Sequence, residues 1–513
     1  MEFIGAMPTV DLTYSDVFLV PRRTDVGSRL SVDLTPTDGT PATLPLVAAN
    51  MNSVTGPRLA AVLARRGGLA VLPQDLALSE TEAAIRWVKE QPVDFDSPIV
   101  LPAGATAADA LRLIPRSEGQ TVVVADLDGV DRGAEGVQTG SGLPPGPVAE
   151  SRLRGVLSAS RLASVPADAL LGDLVLGETP MLEAEALVDR RAAFDAVDAA
   201  LATAAGVDPA HRDAEAVCVV REGSLVGTLS RRSALRRTLY LPALGRDDRL
   251  AVAVAVGVNG DVAAKARALA AAGADVLVID TAHGHQESMI RAIRTVSDLD
   301  LGLPIVAGNV VTAEGASDLI EAGASILKVG VGPGAMCTTR MMTAVGRPQF
   351  SAVLETAQAA RELGAHVWAD GGVRYPRDVA LALAAGAASV MIGSWFAGTA
   401  ESPGELITDA DGRQYKESWG MASTKAVQGR FGGLGAYERA RKELFAEGIS
   451  SSKIYLDPQR PGVEDLVDMI TSGVRSSFTY AGAASLQEFH VRARVGLQSA
   501  AGYEEGKALP VSW

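Results

Sequence analysis

The loop from Gly330 to Arg340 contains the side chain best suited to covalent chemistry. Cys337 stands in the run Gly330-Val331-Gly332-Pro333-Gly334-Ala335-Met336-Cys337-Thr338-Thr339-Arg340. A glycine-rich backbone lets a loop swing a thiol towards a substrate, and nearby amide dipoles favour the reactive thiolate. The other cysteine, Cys218, lies in the apolar run Ala216-Val217-Cys218-Val219-Val220, which is typical of a buried structural cysteine. We therefore expect Cys337 to be the nucleophile.

Two glycine-bearing turns further along the chain are suited to binding phosphate. Asp370-Gly371-Gly372 and Gly393-Ser394 each follow an apolar run. Amides without a side chain can approach an anion closely, and phosphate usually binds after the last two strands of an eight-stranded α/β barrel. Glycines that only make turns are the alternative. Two such loops together predict a phosphorylated ligand.

A repeated strand–helix framework must position these loops. The segment Ala-Gly-Ala occurs at residues 272–274, 322–324 and 385–387, each time just before an apolar run. Glycine just past a helix is the usual left-handed stop, and continuous β-branched runs favour strands buried on both faces. Strands are predicted near residues 44–50, 69–72, 251–257, 276–280, 304–308, 326–330, 366–370 and 389–393. Eight strands favour a (β/α)8 barrel. The alternative, a doubly wound sheet, lacks its glycine fingerprint after the first strand.

The segment between the second and third predicted strands has a different composition, with a Gly/Pro-rich stretch from Gly140 to Pro147. It contains a weak twofold repeat: residues 104–111 resemble 191–197, and 153–158 resemble 225–230. We therefore expect an inserted domain. The predicted division is 1–94 for the first part of the barrel, 95–235 for the insert, and 236–513 for the second part of the barrel with a flap and a C-terminal segment.

Composition limits the class of protein. With 513 residues, 47% of them hydrophobic, the chain can bury a large core, and its net charge of −14 argues against a nucleic-acid partner. Only two cysteines occur, which favours a reduced, intracellular protein without a disulfide framework. We find no leader pattern and no apolar run of the roughly 20 residues needed to span a membrane. The expected location is the cytoplasm, with no membrane partner.

The chemistry-bearing segments together resemble the IMP dehydrogenase/GMP reductase family. The matching segments, in order along the chain, are residues 46–51, 280–285, 332–340, 369–372 and 415–421. The resemblance covers nearly the whole chain outside the insert, and the position of the insert also matches. It implies an α/β fold, a TIM barrel interrupted by a tandem CBS (Bateman) domain, to which the repeat within the insert is itself similar.

The resemblance implies a role for each matching residue. Cys337 would attack C2 of a purine mononucleotide, with Thr339 and Glu447 forming a proton relay. The substrate would be bound by Met51, Asp370, Gly371, Gly372, Gly393, Ser394, Tyr415, Gly420 and Met421. The nicotinamide cofactor would contact Asp280, Asn309 and Gly330. A potassium ion at Gly332, Gly334 and Cys337 is a further implication. His283 and His285 could suggest another metal, although histidines on such a loop more often form a hydrogen-bonded turn.

The flap favours one of the family's two reactions. Oxidation of IMP to XMP with NAD needs water activated by an Arg-Tyr pair, whereas this chain has Arg430-Phe431. The spacing from Gly432-Gly433 to Tyr437 and the segment 346–353 resemble the reductase version. We expect reductive deamination of GMP to IMP with NADPH. Oxidation of IMP is the alternative within the family, and a nucleotide-sensing inactive homologue is the alternative outside enzymes.

The chain also departs from the family pattern. Ala335 replaces a phosphate-binding serine, and Pro73-Gln74 replaces a His-Lys pair, which puts in doubt a cation there during ammonia departure. An insert is typical of the dehydrogenases. We expect ATP or GTP to act at the insert, although a degenerate pair of modules that only mediates subunit contacts is the alternative. The family implies a homotetramer or octamer. The sequence does not decide whether the cofactor is NADPH or NADH.

Overall fold

The computed structural model describes residues 1–117, 119–127, 148–175, 180–207, 215–419, 435–444 and 452–508. In these ranges, no helix combines the length and the apolar character needed to cross a bilayer.

The central feature is a closed barrel of parallel strands, which confirms the predicted α/β barrel and excludes the open sheet. Neighbours in the chain are neighbours in the barrel, and the eighth strand pairs with the first. In chain order the barrel strands are Leu46–Ala48, Leu69–Leu72, Ala253–Gly257, Val276–Asp280, Ile305–Val310, Ile326–Val329, His366–Asp370 and Ser389–Ile392. All eight overlap the predicted runs. Their carboxyl ends therefore meet at one mouth, where this fold places its chemistry.

A ring of helices surrounds the barrel. Its members are Pro57–Arg65, Leu78–Glu90, Val262–Ala271, Glu287–Ser297, Ala313–Glu321, Gln349–Glu362, Pro376–Ala384 and Val463–Ala481. Gly273, Gly323 and Gly386 follow three of these helices with φ of 106°, 117° and 115°, in the left-handed region that a side chain disfavours. The Ala-Gly-Ala repeat therefore ends helices, as predicted.

The core has two layers because strand side chains alternate between faces. One layer fills the barrel interior and includes Val47, Val278 and the fully buried Trp368. The other lies between the strands and the helices and includes Leu277 and Phe350. The alternation decides which strand residues can reach the mouth.

The insert consists of two halves with the same order of elements, which accounts for the repeat in the sequence. Each half has a short strand, a helix, an antiparallel pair of strands and a second helix. The first half comprises Val100–Pro102, Ala107–Leu111, Thr121–Ala125, Leu153–Ser158 and Ala159–Ala163. The second half comprises Met181–Glu183, Arg190–Val207, Ala216–Arg221, Ser224–Ser230 and Arg231–Leu239. Cys218 lies buried where the two sheets pack, and burial raises its thiol pKa to about 12, so the structural assignment is confirmed.

Short elements complete the chain. In the insert they are the strand Val148–Ala149, the helix Leu171–Leu174 and the 3-10 turns Glu150–Arg152 and Ala184–Leu187. Near the termini they are the strands Glu2–Phe3, Val17–Leu19 and Arg494–Leu497, the 3-10 turns Tyr14–Asp16 and Arg29–Ser31, and the helices Leu486–Arg492 and Ala500–Glu505. The helix Ala436–Leu444 lies in the C-terminal part of the chain. At the mouth are the helices Thr339–Thr343 and Ser394–Ala397 and the antiparallel strands Ile407–Thr408, Gln414–Ser418 and Ser452–Tyr455. We call these last three strands the mouth hairpin.

A network of ion pairs attaches the insert to the barrel. Arg236, on the last helix of the insert, binds Glu464 at 3.1 Å and Asp468 at 2.7 Å on the eighth barrel helix. Arg66, after the first barrel helix, binds Glu464 at 2.5 Å and Asp96 at 3.1 Å. Burial favours the neutral acid, but the surrounding arginines hold the Glu464 pKa at about 2. The helix Arg231–Leu239 thus crosses the expected boundary at 235 and is bonded to both units.

Candidate active site

The cysteine loop places Cys337 at the barrel mouth. Its side chain is exposed, and Sγ donates a hydrogen bond to Thr339 Oγ1 at 3.2 Å. The Cys337 amide donates to the Gly334 carbonyl at 3.1 Å, which closes a tight turn before the thiol. Thr339 begins a five-residue helix. The two residues expected to act together therefore meet.

Glycine at position 330 is required by the packing of this loop. Gly330 has φ of 147°, and a Cβ there would lie 2.2 Å from the Asp370 carbonyl oxygen. Gln349 joins the same two strand ends, since its Nε2 donates to Val329 O at 2.7 Å and to Asp370 O at 3.1 Å. The cysteine loop is therefore attached closely to the end of the seventh strand. Gly330 lies beside Asp370, and Asn309 Nδ2 donates to its carbonyl at 2.6 Å. Its role in cofactor binding stays a prediction.

An array of buried polar groups lies beneath the loop. Lys328 Nζ contacts Asp280 Oδ1 at 2.8 Å, Asp370 Oδ2 at 2.9 Å and the Asn309 side-chain oxygen. Asn309 Nδ2 donates to Asp370 Oδ2 at 2.9 Å, and Asn50 Nδ2 donates to Asp280 Oδ2 at 2.9 Å. The expected ribose contact Asp370 and the expected cofactor contacts Asp280 and Asn309 are thus brought together.

Lys328 is the member of this array that our sequence interpretation did not single out. Its side chain is only 4% exposed. Burial alone lowers its pKa, but Asp280 and Asp370 more than compensate and raise the pKa above its usual range. A signal was present, because Lys328 and Ile326 share the strand face that points into the barrel. A lysine on the inner face of an apolar barrel strand needs carboxylate partners.

The two predicted phosphate loops lie at neighbouring strand ends. Gly371 and Gly372 have φ of 86° and 82°, and a Cβ on either would lie 3.2 or 3.3 Å from the Pro333 ring of the cysteine loop. Gly393 precedes the short helix that Ser394 begins. A Cβ at Gly393 would lie 3.4 Å from Met51 Sδ, so Met51 also reaches this side of the mouth. These expected substrate contacts therefore lie at the ends of neighbouring strands, on one side of the mouth.

Tyr415 lies on the central strand of the mouth hairpin and is buried. Its ring lies 5.6 Å from the Tyr455 ring and 4.6 Å from Lys453 Nζ, on the outer face of the mouth hairpin. Lys416 and Ser418 occupy the opposite face and reach the barrel. The phosphate contact expected of Tyr415 stays a prediction.

Several expected residues fall outside the described ranges: Gly420, Met421, Arg430, Phe431 and Glu447. Their roles stay predictions. The potassium ion at Gly332, Gly334 and Cys337 also stays a prediction. For the histidine pair, His285 Nε2 lies 2.7 Å from Asp318 Oδ2, and the described residues contain no group of three or more side chains suited to a metal.

The Pro73-Gln74 departure has a structural counterpart. Gln74 Oε1 is buried and has no hydrogen-bond partner among the described residues, and a Cβ on Gly257 would lie 2.8 Å from it. Lys265 Nζ donates to the Gln74 main-chain oxygen at 3.0 Å, and burial lowers the pKa of this amine. A lysine thus reaches the end of the second strand from the helix Val262–Ala271, whereas in the family pattern the lysine directly follows that strand.

Substitution of Lys328 by Met should destabilise the fold. It leaves Asp280 and Asp370 facing each other without a cation, and loss of one partner of a buried ion pair costs about 3–5 kcal/mol. Urea unfolding should show the lower midpoint, and a second change, Asp280→Asn, should restore part of the loss by removing the repulsion. Lys507→Met, at an exposed lysine, is the matched control. An unchanged midpoint in Lys328→Met would show that the array does not support the barrel.

Comparison with known proteins shows which family has a similar sequence and structure. The model of the IMP dehydrogenase/GMP reductase domain matches residues 11–508. A GMP reductase of Mycobacterium tuberculosis is 52% identical over 515 residues, covering 100% of both chains. An inosine-5'-monophosphate dehydrogenase of Nitrosopumilus maritimus is 32% identical and covers 97% of both chains.

A solved structure of a family member is also similar to this chain. A GMP reductase variant from Trypanosoma brucei in complex with guanosine 5'-monophosphate has a TM-score of 0.65 and 30% identity, and the match covers 99% of both chains. The residues that the family model matches include the barrel strands, the cysteine loop and the array beneath it. The chain belongs to the IMP dehydrogenase/GMP reductase family.

Proposed function

We propose that this protein is a GMP reductase, which converts GMP to IMP and ammonia with NADPH. The observation that carries the proposal is Cys337 at the mouth, exposed and hydrogen-bonded to Thr339 at 3.2 Å. The 52% identity to a GMP reductase over the full chain supports it, against 32% to a dehydrogenase. The Arg430-Phe431 pair supports it too, since phenylalanine has no hydroxyl with which to activate water.

The chemistry at C2 requires a nucleophile and an acid. The Cys337 thiolate adds to C2 of GMP, and the exocyclic nitrogen then leaves as ammonia, which gives a thioimidate bound to the enzyme. The 2-amino group is a poor leaving group unless it is protonated, so Thr339 and Glu447 would deliver the proton that lets it leave as ammonia. NADPH, when bound, supplies the hydride that replaces the amino group at C2. Return of the electron pair to sulfur frees the Cys337 thiolate and releases IMP.

The remaining residues bind and orient. Asp370 would accept hydrogen bonds from the ribose hydroxyls, held in place by Lys328 and Asn309. Backbone amides at Gly371, Gly372, Gly393 and Ser394 would bind the phosphate. Asp280, Asn309 and Gly330 would hold the nicotinamide half of the cofactor. The buried Gln74 Oε1, which has no partner within the described part of the chain, fits a nearby amide donor such as the cofactor's carboxamide.

The reaction can be tested with two assays on the unmodified protein. GMP with NADPH should give IMP, ammonia and loss of absorbance of the reduced nicotinamide. IMP with NAD should give little XMP, because Phe431 cannot replace the phenol used to activate water. Robust steady-state XMP formation would establish the dehydrogenase instead, and inactivity in both assays would favour the inactive homologue.

Replacement of Cys337 by Ala should abolish turnover but leave GMP binding largely intact. The ribose and phosphate contacts come from other loops, so calorimetric titration should still detect GMP. Cys218→Ala is the matched control, since that thiol is buried in the insert and should not affect turnover. If Cys218→Ala were the inactive variant, the assignment of the nucleophile would be wrong.

We also propose that the insert is a tandem CBS domain that regulates the barrel in response to ATP or GTP. Its two halves share one order of elements, as the repeat indicates. The segment 113–117 of the insert lies against the mouth: Arg58 Nη1 donates to Leu113 O at 2.9 Å, and the Arg116 amide donates to Gln414 Oε1 at 2.9 Å. Ser117 Oγ donates to Pro458 O at 3.3 Å. A nucleotide that moves this segment would act on the mouth hairpin.

Replacement of Gln414 by Leu should uncouple the insert from the barrel. The variant loses the acceptor for the Arg116 amide, so an ATP or GTP effect on GMP saturation should shrink from a typical 5–150-fold towards none. Turnover without the effector should stay within about twofold of the parent value. Gln358→Leu, at an exposed glutamine on the barrel, is the control. An undiminished effector response in Gln414→Leu would exclude this contact as the route.

A further inference from the structure

A lysine of the mouth hairpin is buried without taking part in the chemistry. Lys416 is 3% exposed. Its Nζ donates to the Ala400 carbonyl at 2.9 Å and to the Ser402 carbonyl. Both carbonyls belong to the loop that follows the short helix Ser394–Ala397. Lys416 thus connects the hairpin strand to the loop behind the expected phosphate site.

The same strand reaches the other side of the mouth two residues later. Ser418 Oγ lies 2.9 Å from Ser53 Oγ, and both side chains are buried. Ser53 belongs to the loop after the first barrel strand, close to Met51, whose sulfur lies beside Gly393. The contacts therefore form a closed ring, from Gly393 through the 394–402 loop and Lys416 to Ser418, Ser53 and Met51.

The charge of Lys416 responds to its surroundings. Burial, and next Arg58, lower its pKa to about 7, while Glu401 opposes them. Arg58 comes from the first barrel helix and Glu401 from the 398–402 loop, whereas Lys453 on the neighbouring strand lies on the other face of the hairpin. Charged donors bind carbonyls about twice as strongly as neutral donors. The link between strand and loop is thus strongest while the amine is protonated.

We propose that Lys416 is a positioning residue for the nucleotide phosphate: it fixes the mouth hairpin to the loop behind Gly393 and Ser394 and so closes the ring of contacts around the substrate. The proposal rests on the proposed function, because it takes GMP as the ligand. Lys416 touches no reacting atom. Its loss should weaken binding of GMP and leave the chemical step at C2 unchanged.

The test compares GMP saturation of the unmodified protein and Lys416→Met. Two buried carbonyls lose their donor in the variant, so the KM for GMP should rise about tenfold while kcat stays within about twofold. The calorimetric dissociation constant of GMP should rise with KM, which tests the role without turnover. Between pH 7 and 9, where the GMP phosphate is already a dianion, KM should rise with pH in the unmodified protein but not in Lys416→Met.

Two further variants keep the test decisive. Ser418→Ala opens the ring at its other end without removing a charge, and it should also raise KM, even if Lys416→Met fails to fold. Lys453→Met removes an exposed lysine from the outer face of the same hairpin and should leave KM unchanged. Unchanged GMP binding in both ring variants, or an equal rise in Lys453→Met, would overturn the proposal. Absence of GMP turnover in the unmodified protein would instead overturn the proposed function, and the dissociation constants would still decide the role of Lys416.

Discussion

The structure of the barrel mouth depends on the ion pairs that the Lys328 ammonium group makes with Asp280 and Asp370. The three residues come from the sixth, fourth and seventh barrel strands. Two carboxylates at one barrel mouth would repel each other in a setting with little water, and a single buried cation compensates both. Asn50 donates to the second Asp280 oxygen, and Asn309 donates to Asp370 Oδ2, the oxygen that also binds Lys328. The carboxylates thereby keep a defined orientation towards the opening, where a ligand's hydroxyl groups can reach them.

The cysteine loop packs on this array, but only its first residue is held closely while its thiol is exposed. Gly330 packs directly on the Asp370 main chain, and Gln349 joins the two strand ends, so the first residue of the cysteine loop is fixed. Cys337 lies further along, exposed, with Thr339 as its neighbour. In the proposed function, the arrangement combines a rigid base, which would bind ribose, with a thiol on a turn that would approach C2. A nucleophile that forms and then breaks a bond to the substrate needs both properties.

The mouth hairpin connects three parts of the molecule because its central strand has two distinct faces. On the face towards the barrel, Gln414 accepts a hydrogen bond from the insert, Lys416 binds the loop behind Gly393, and Ser418 meets Ser53. The outer face is occupied by the aromatic pair Tyr415 and Tyr455. The insert is anchored separately by Arg236 and Glu464. The insert thus contacts the mouth hairpin although it contributes no strand to the barrel.

The sequence by itself determined the barrel, because its signals are local. Runs of apolar residues end at Ala-Gly-Ala, and glycine past a helix is a property of a few neighbouring residues. The same holds for the cysteine loop, whose residues are contiguous, and for Cys218, whose apolar neighbours already indicate burial. The family resemblance added expected roles to contiguous segments, and Cys337 and Thr339 lie within hydrogen-bonding distance of each other.

Only the tertiary structure decided which side chains face each other across the mouth. The partners of Lys328 are 48 and 42 residues away in sequence, since Asp280 and Asp370 belong to other strands, and no local pattern encodes that meeting. The orientation of Tyr415 was likewise undecided, because a short strand with buried residues on both faces has no alternation from which to choose its inner face. The docking of Lys416, Ser418 and Gln414 depends on how the hairpin packs on the barrel and the insert. Side-chain direction in a strand is set by register, and register is a long-range property of the fold.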